Sequence, residues 1–148
     1  MTDVVDKKTR SRMMSGIKGK NTKPEISIRK SLYKRGFRYR LHSVKFPGKP
    51  DIVLKKYNAV IFIHGCFWHG HNCHLFKWPK SRTDFWTKKI EYNKLNDQKV
   101  IDQLKMMKVR ICIVWECSIK GANKDLSAIV DKIENWLNGK KFYMEIRS

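Results

Sequence analysis

Apolar positions fall into two rhythms along this chain, and the switches between them mark its elements. From Thr22 the spacing is helical. Ile28 and Leu32 stand one turn apart, and "TKPE" supplies a capping box with Thr22 as N-cap and Glu25 three residues later. Pro24 fits the first turn, where no backbone N–H is needed, and Gly36 ends the helix. "FRYRL" (37–41) alternates apolar and basic residues, the pattern of a half-buried strand. "PGKP" (47–50) turns the chain, and "DIVL" (51–54) and "AVIFIH" (59–64) read as buried strands separated by "KKYN". Thr83 or Asp84 opens a long helix to about Met107, with an inward stripe of Trp86, Ile90, Asn93, Asp97, Ile101 and Leu104. "VRICIVWE" (109–116) is a fourth strand. A last amphipathic helix carries Ile129, Val130, Ile133, Trp136 and Leu137 and stops at Gly139.

The predicted order is helix, three strands, helix, strand, helix. A long helix between the third and fourth strands is a crossover connection, which permits parallel pairing there. The expected architecture is therefore α/β, a mixed sheet with helices on both faces. The 148 residues suit one domain, placed at 21–148. Residues 1–20 lack apolar periodicity and read as a basic N-terminal arm, either a tail or a segment that orders on nucleic acid.

Charge narrows the partner. The chain carries 33 Lys and Arg against 13 Asp and Glu, a formal net charge of +20. Such an imbalance repels itself unless a polyanion neutralises it, and nucleic acid is the natural one. The start, "MTDVVDKKTRSRMM", has acids and no apolar run, unlike a secretion signal, and "AVIFI" is too short to span a bilayer. A cytoplasmic protein without a membrane partner is expected, with its cysteines as thiols or metal ligands.

The stretch "IFIHGCFWHGHNCHLFKWP" (61–79) concentrates chemistry: His64, His69, His71 and His74, Cys66 and Cys73, with Phe67, Trp68 and Phe76 threaded between. Cys66, His71 and Cys73, joined by Cys117 at the end of the fourth strand, make a Cys₃His set for a closed structural zinc site. His69 and His74 compete as ligands, and so does Cys112, although a mid-strand cysteine usually serves as a small core residue.

The few acids are informative in so basic a chain. Asp51, at a strand end after "PGKP", is placed to hold Mg²⁺ beside a phosphodiester. "P-D" followed by a second strand resembles the PD-(D/E)xK nuclease pattern, but the acid and lysine of the second half are missing. That strand ends in Ile63 and His64, so a ligand there has to be a backbone carbonyl and acid–base work falls to histidine. Glu25 serves the capping box or a metal site. Asp97, between Ile90 and Ile101 on an inward stripe, needs a partner, such as an imidazole that it holds in position.

The stretches "DKKTRSRMMSGIKGKNTKPE", "PGKPDIV", "VIFIHGCFWHGHNCHLFKWP", "RTDFW" and "VWEC" together resemble the very short patch repair (Vsr) DNA mismatch endonuclease family, over nearly all of residues 1–140. The resemblance implies a restriction-endonuclease-like fold with a structural zinc. It implies Mg²⁺-dependent nicking of one strand on the 5′ side of the thymine of a T:G mismatch. Such mismatches arise when 5-methylcytosine deaminates, which makes a cytosine-5 DNA methyltransferase a functional companion; a monomer is expected. By position, Asp51 and the carbonyl of Ile63 would bind Mg²⁺, and His69 would be the general base. His64, Glu25 and Asp97 would surround metal and phosphate, and Cys66, His71, Cys73 and Cys117 would hold zinc. Phe67, Trp68 and Trp86 would wedge into the base stack, with Met14 approaching from the minor groove; their alternative is the protein core. Gly70 stands where the family has a histidine, a change expected to loosen the loop. The rival functions are a restriction-type endonuclease on matched DNA and a non-catalytic zinc-containing DNA-binding module.

Overall fold

The computed structural model describes residues 22–120 and 125–148. The basic arm with Met14 lies outside them. Thr22 is extended (φ −70°, ψ 161°), and its Oγ1 accepts from Glu25 N at 3.4 Å, which opens α1 (Lys23–Lys34). Past Arg35 the chain reverses through Gly36 at φ +94°, where a side chain would be strained. A short β1 (Arg40–Leu41) pairs antiparallel with β2 (Ile52–Leu54), and β2 pairs antiparallel with β3 (Ala59–His64). The crossover helix α2 (Thr83–Met106) leads to β4 (Arg110–Trp115), which runs parallel to β3. Asp125 accepts from Ser127 N at 2.9 Å to cap α3 (Leu126–Asn138), and β5 (Tyr143–Ile146) closes the sheet parallel to β4. The order across the sheet is β1-β2-β3-β4-β5.

Alternation along the strands sorts side chains to two cores. On one face Ile52, Leu54, Ile61, Cys112 and Val114 meet Ile28 and Leu32 of α1 and Ile129, Ile133 and Trp136 of α3. On the other, Val60, Phe62, Ile111 and Ile113 meet Leu104 of α2, together with Cys66 and Cys117. A fully buried side chain of this size contributes about 1.5–3 kcal/mol through its transfer from water. Arg35 ties α1 to α3 through Asp131 (2.6 Å) and Glu134 (2.9 Å). Among the described residues, no helix is long and apolar enough to cross a membrane.

Two elements differ from the sequence reading. "FRYRL" pairs only at Arg40 and Leu41, both exposed. Phe37 is drawn into the core, and its N–H donates to Leu32 O at 3.1 Å, so that segment finishes a helix turn rather than a strand. And β5 was missed, because four residues with one fully buried side chain, Ile146, give too little alternation to register.

Candidate active site and metal centre

β3 and β4 end together, His64 opposite Trp115, and the chain beyond each end carries ligands toward the other. Cys66 and Cys117 are fully buried there. His71 N donates to Cys66 O at 2.9 Å, folding the loop back, and Cys117 N donates to Cys66 Sγ at 3.3 Å. His71 Nδ1 lies 3.6 Å from Cys66 Sγ and 3.5 Å from Cys117 Sγ, and with Cys73 all four ligand atoms fall within 4.8 Å of one another. Zinc–sulfur bonds of about 2.3 Å put tetrahedral edges at about 3.8 Å, so the donor set and spacing fit that ion. The His71 ring stacks on Trp115, centroids 4.0 Å apart at 7°, which fixes its orientation.

Protonation is uneven across the set. Burial holds the Cys66 thiol well above the ordinary range, so loss of its proton has to accompany ion capture. Burial also acts to raise Cys117, but hydrogen bonds from Ser148 and from neighbouring thiols outweigh it and bring the group below its ordinary value. Burial lowers His71, favouring the neutral ring that ligates. The competitors fall away on position: His74 is exposed, and Cys112 belongs to the core on the opposite face of the sheet.

The same end of the sheet bounds a cavity of about 320 Å³, lined among others by Lys49, Asp51, Ile63, His64, His69 and Asp97. Asp51 enters it just ahead of β2, and its Oδ2 accepts from Ile63 N at 2.7 Å. Burial, then the nearby Glu25 charge, push Asp51 up to about 7, with the Ile63 bond pulling the other way. Buried carboxylates under such pressure suit a hard cation, which removes the penalty. Across the cavity His69 Nδ1 lies 2.6 Å from Asp97 Oδ2. Since a carboxylate accepts, Nδ1 carries the proton and Nε2 keeps a lone pair. Asp97 is not as deeply placed as its stripe suggests, with 22% of its side chain exposed, but it does have the imidazole partner. His64 lies flat against His69, centroids 3.8 Å apart at 4°. Burial keeps His64 well below the ordinary histidine range, and its Nδ1 is buried with no hydrogen-bond partner.

Phe67, Trp68 and Trp86 form one edge-to-face cluster with centroids 5.3–5.8 Å apart. Phe67 and Trp68 are half-buried, whereas Trp86 is only 7% exposed. Asn93 of the α2 stripe donates to Trp68 O at 2.8 Å, a loop brace rather than a core contact. Gly70 does not loosen the loop. It sits at φ +61° against α2, where a Cβ would fall 2.6 Å from Ile90 Cγ2.

Glu25 resolves toward both of its readings. Its N–H makes half of the capping box, while its buried carboxylate accepts from Arg29 (2.9 Å) and lies 2.8 Å from His42 Nε2. Glu25, His42 and Asp51 together form a further group able to hold a cation. Sequence reasoning missed His42. It is the single histidine of five outside the 61–79 stretch, and its neighbours in the chain carry no signal for the partners it meets in the fold.

The family model for the DNA mismatch endonuclease Vsr matches residues 2–75. The DNA mismatch endonuclease Vsr of Escherichia coli is 41% identical over 140 residues, 94% of this chain and 90% of that protein. A type II nicking enzyme of Neisseria meningitidis is 48% identical over 120 residues, 81% of this chain and 86% of its own length. Another, from Xanthomonas oryzae, is 41% identical over 138 residues, covering 93% and 98%.

Proposed function

The chain belongs to the DNA mismatch endonuclease Vsr family, and on that premise we propose that it nicks one strand of duplex DNA 5′ to the thymine of a T:G mismatch. The observation that carries the hydrolytic reading is the cavity with Asp51 on one wall and the Asp97-oriented His69 on the other. Its volume, about 320 Å³, suits a phosphodiester and its attacking water. The fold is restriction-endonuclease-like, with residues 21–148 as the endonuclease domain and 1–20 as an arm that orders on DNA. A mixed five-stranded sheet with the acid at a strand end supports that assignment.

His69 takes the proton of the attacking water at Nε2, while Asp97 holds the ring and stabilises the charge that develops on it. His64, neutral and stacked on His69, keeps that ring from rotating and excludes water from its back face. Asp51 and the Ile63 carbonyl would hold Mg²⁺, with Glu25 beside them, and the chemistry supplied there would be Lewis-acid stabilisation of charge on the phosphate oxygens. Cys66, His71, Cys73 and Cys117 would hold Zn²⁺ and so fix the loop that delivers His69. Phe67 and Trp68 stack against the opened mismatch with the buried Trp86 packed behind them, and Met14 approaches from the minor groove. The protein acts as a monomer in the cytoplasm, and a cytosine-5 methyltransferase generates the methylated sites whose deamination it repairs.

A strand-specific nicking assay tests this reading. It compares T:G, other mismatches and matched duplexes, with Mg²⁺ and with EDTA. Nicking confined to the thymine strand of T:G and abolished by EDTA is expected. Equal cleavage of matched DNA would make it a restriction-type enzyme, and metal-dependent binding without cleavage would make it a DNA-binding module.

A further inference from the structure

We propose that His42 is a positioning residue of the nuclease site, holding the Glu25 carboxylate beside Asp51 so that both acids present oxygens to one divalent cation. The proposal rests on Asp51 being the cation's ligand. Three separate elements converge here: Glu25 from the first turn of α1, His42 directly after β1, and Asp51 directly before β2. Their ligand atoms lie within 4.8 Å of one another. Glu25 is 1% exposed, and a carboxylate so buried persists only when it is paired or metal-linked. His42 Nε2 and Arg29 Nη1 both grip the same oxygen, Oε2, at 2.8 and 2.9 Å. Two partners on one oxygen set the rotation of the carboxylate.

His42 also reaches the second acid, but through its backbone. Its N–H donates to Asp51 O at 3.2 Å. It does so at φ +49°, a left-handed conformation uncommon for a residue other than glycine. Such conformations persist where the surroundings over-determine them, and they cluster at functional sites. One residue therefore fixes the helix-borne acid by its ring and the strand-borne acid by its main chain. Arg29, one turn on in the same helix, is the charge partner of that oxygen.

The test uses the full-length protein without DNA and Mn²⁺ as a paramagnetic stand-in for Mg²⁺, with binding read from the electron paramagnetic resonance of the free ion. His42→Gln keeps a side-chain N–H at about the same reach, and His42→Ala removes it. His42→Phe, which keeps a ring without a donor, takes the place of the alanine variant should that one melt early. Loss of the donor is expected to weaken Mn²⁺ by about 10- to 100-fold, the usual cost of removing a support behind a metal ligand. Gln is expected to restore it, and the Mg²⁺ dependence of nicking should follow while KM for DNA stays constant. Wild-type Mn²⁺ affinity in the donor-free variants overturns the proposal. So does equal weakness in Gln and Ala, which makes the ring nitrogen itself a ligand. An Asp51→Asn protein that binds Mn²⁺ normally overturns the cation assignment beneath both readings; with that variant deficient, the His42 series alone decides.

Discussion

The thiol cluster and the carboxylate cleft share one end of the sheet and one loop, yet they are opposite kinds of site. Cys66, His71 and Cys117 are buried, Cys73 is half-buried, and backbone N–H groups donate to sulfur. Asp51, His69 and Asp97 instead border a cavity of about 320 Å³ and offer oxygen and a free imidazole nitrogen. Four soft ligands in a closed cage suit an ion that holds shape. Hard ligands at the mouth of a cavity suit an ion that exchanges water and meets substrate. Enclosure and donor type, more than residue count, separate the structural role from the catalytic one.

Variants can break this contrast, and the largest effect should come from the closed side. Cys73→Ser is expected to release zinc and collapse the thermal stability of the whole domain, since loop and sheet meet through that ion. Elemental analysis finding no zinc in the wild-type protein would erase the contrast at once. On the open side, Asp51→Asn should abolish nicking while sparing the fold and mismatch binding, because it removes a ligand charge without changing size. Gel-shift and nicking assays on one preparation would show it, and near-normal nicking would take Asp51 out of the mechanism. His69→Ala should slow single-turnover nicking by about 10²- to 10⁴-fold, the span of a lost general base. An unchanged rate would leave proton transfer to His64 or to solvent.

Trp68→Ala should cost about 1–3 kcal/mol in binding T:G duplex, the range of one lost base–aromatic stack, and less on matched duplex. Its half-burial against Trp86 means circular dichroism has to accompany the titration. Equal losses on both duplexes return Trp68 to the core. The smallest effect should be that of Cys112→Ala, about 1 kcal/mol of stability with zinc content intact, because that thiol belongs to the other face of the sheet.

Helices were legible from the chain because their burial is periodic, and the long strands because they form continuous buried runs. "AVIFIH" became β3 residue for residue, and the Trp86–Leu104 stripe became the inward face of α2. The zinc-type set was legible for a different reason: three of its members fall within eight residues, and Cys117 ends a recognisable strand. Of the short elements, β2 was legible as the apolar run of "DIVL", β1 only as the end of "FRYRL", and β5 not at all. β1 and β5 owe their existence to neighbouring strands that supply hydrogen bonds, a tertiary effect that leaves little local pattern. His42 was invisible for the same reason. Its partners lie 17 residues back, at Glu25, and in a strand reached only after the "PGKP" turn, so only the folded chain reveals the triad. The depth of Trp86 was also hidden, since an inward stripe and a wedge predict the same residues.

The parallel pairing of β3 with β4 has a bearing on how the chain avoids assembling wrongly. Ile63 stands opposite Val114 and His64 opposite Trp115, and the cysteines sit a few residues past those ends. A slip of one residue would turn every side chain of β4 to the wrong face, carrying Cys112 to the α2 side of the sheet and Cys117 away from Cys66. Cys66 and Cys117 are 51 positions apart, with the whole of α2 between them, so they meet only after the crossover has docked. Ion capture by the four-ligand set would therefore reward one register over the others. Refolding with zinc present from the start should give a higher yield of native protein than zinc added after collapse, and a lower share of soluble misfolded species.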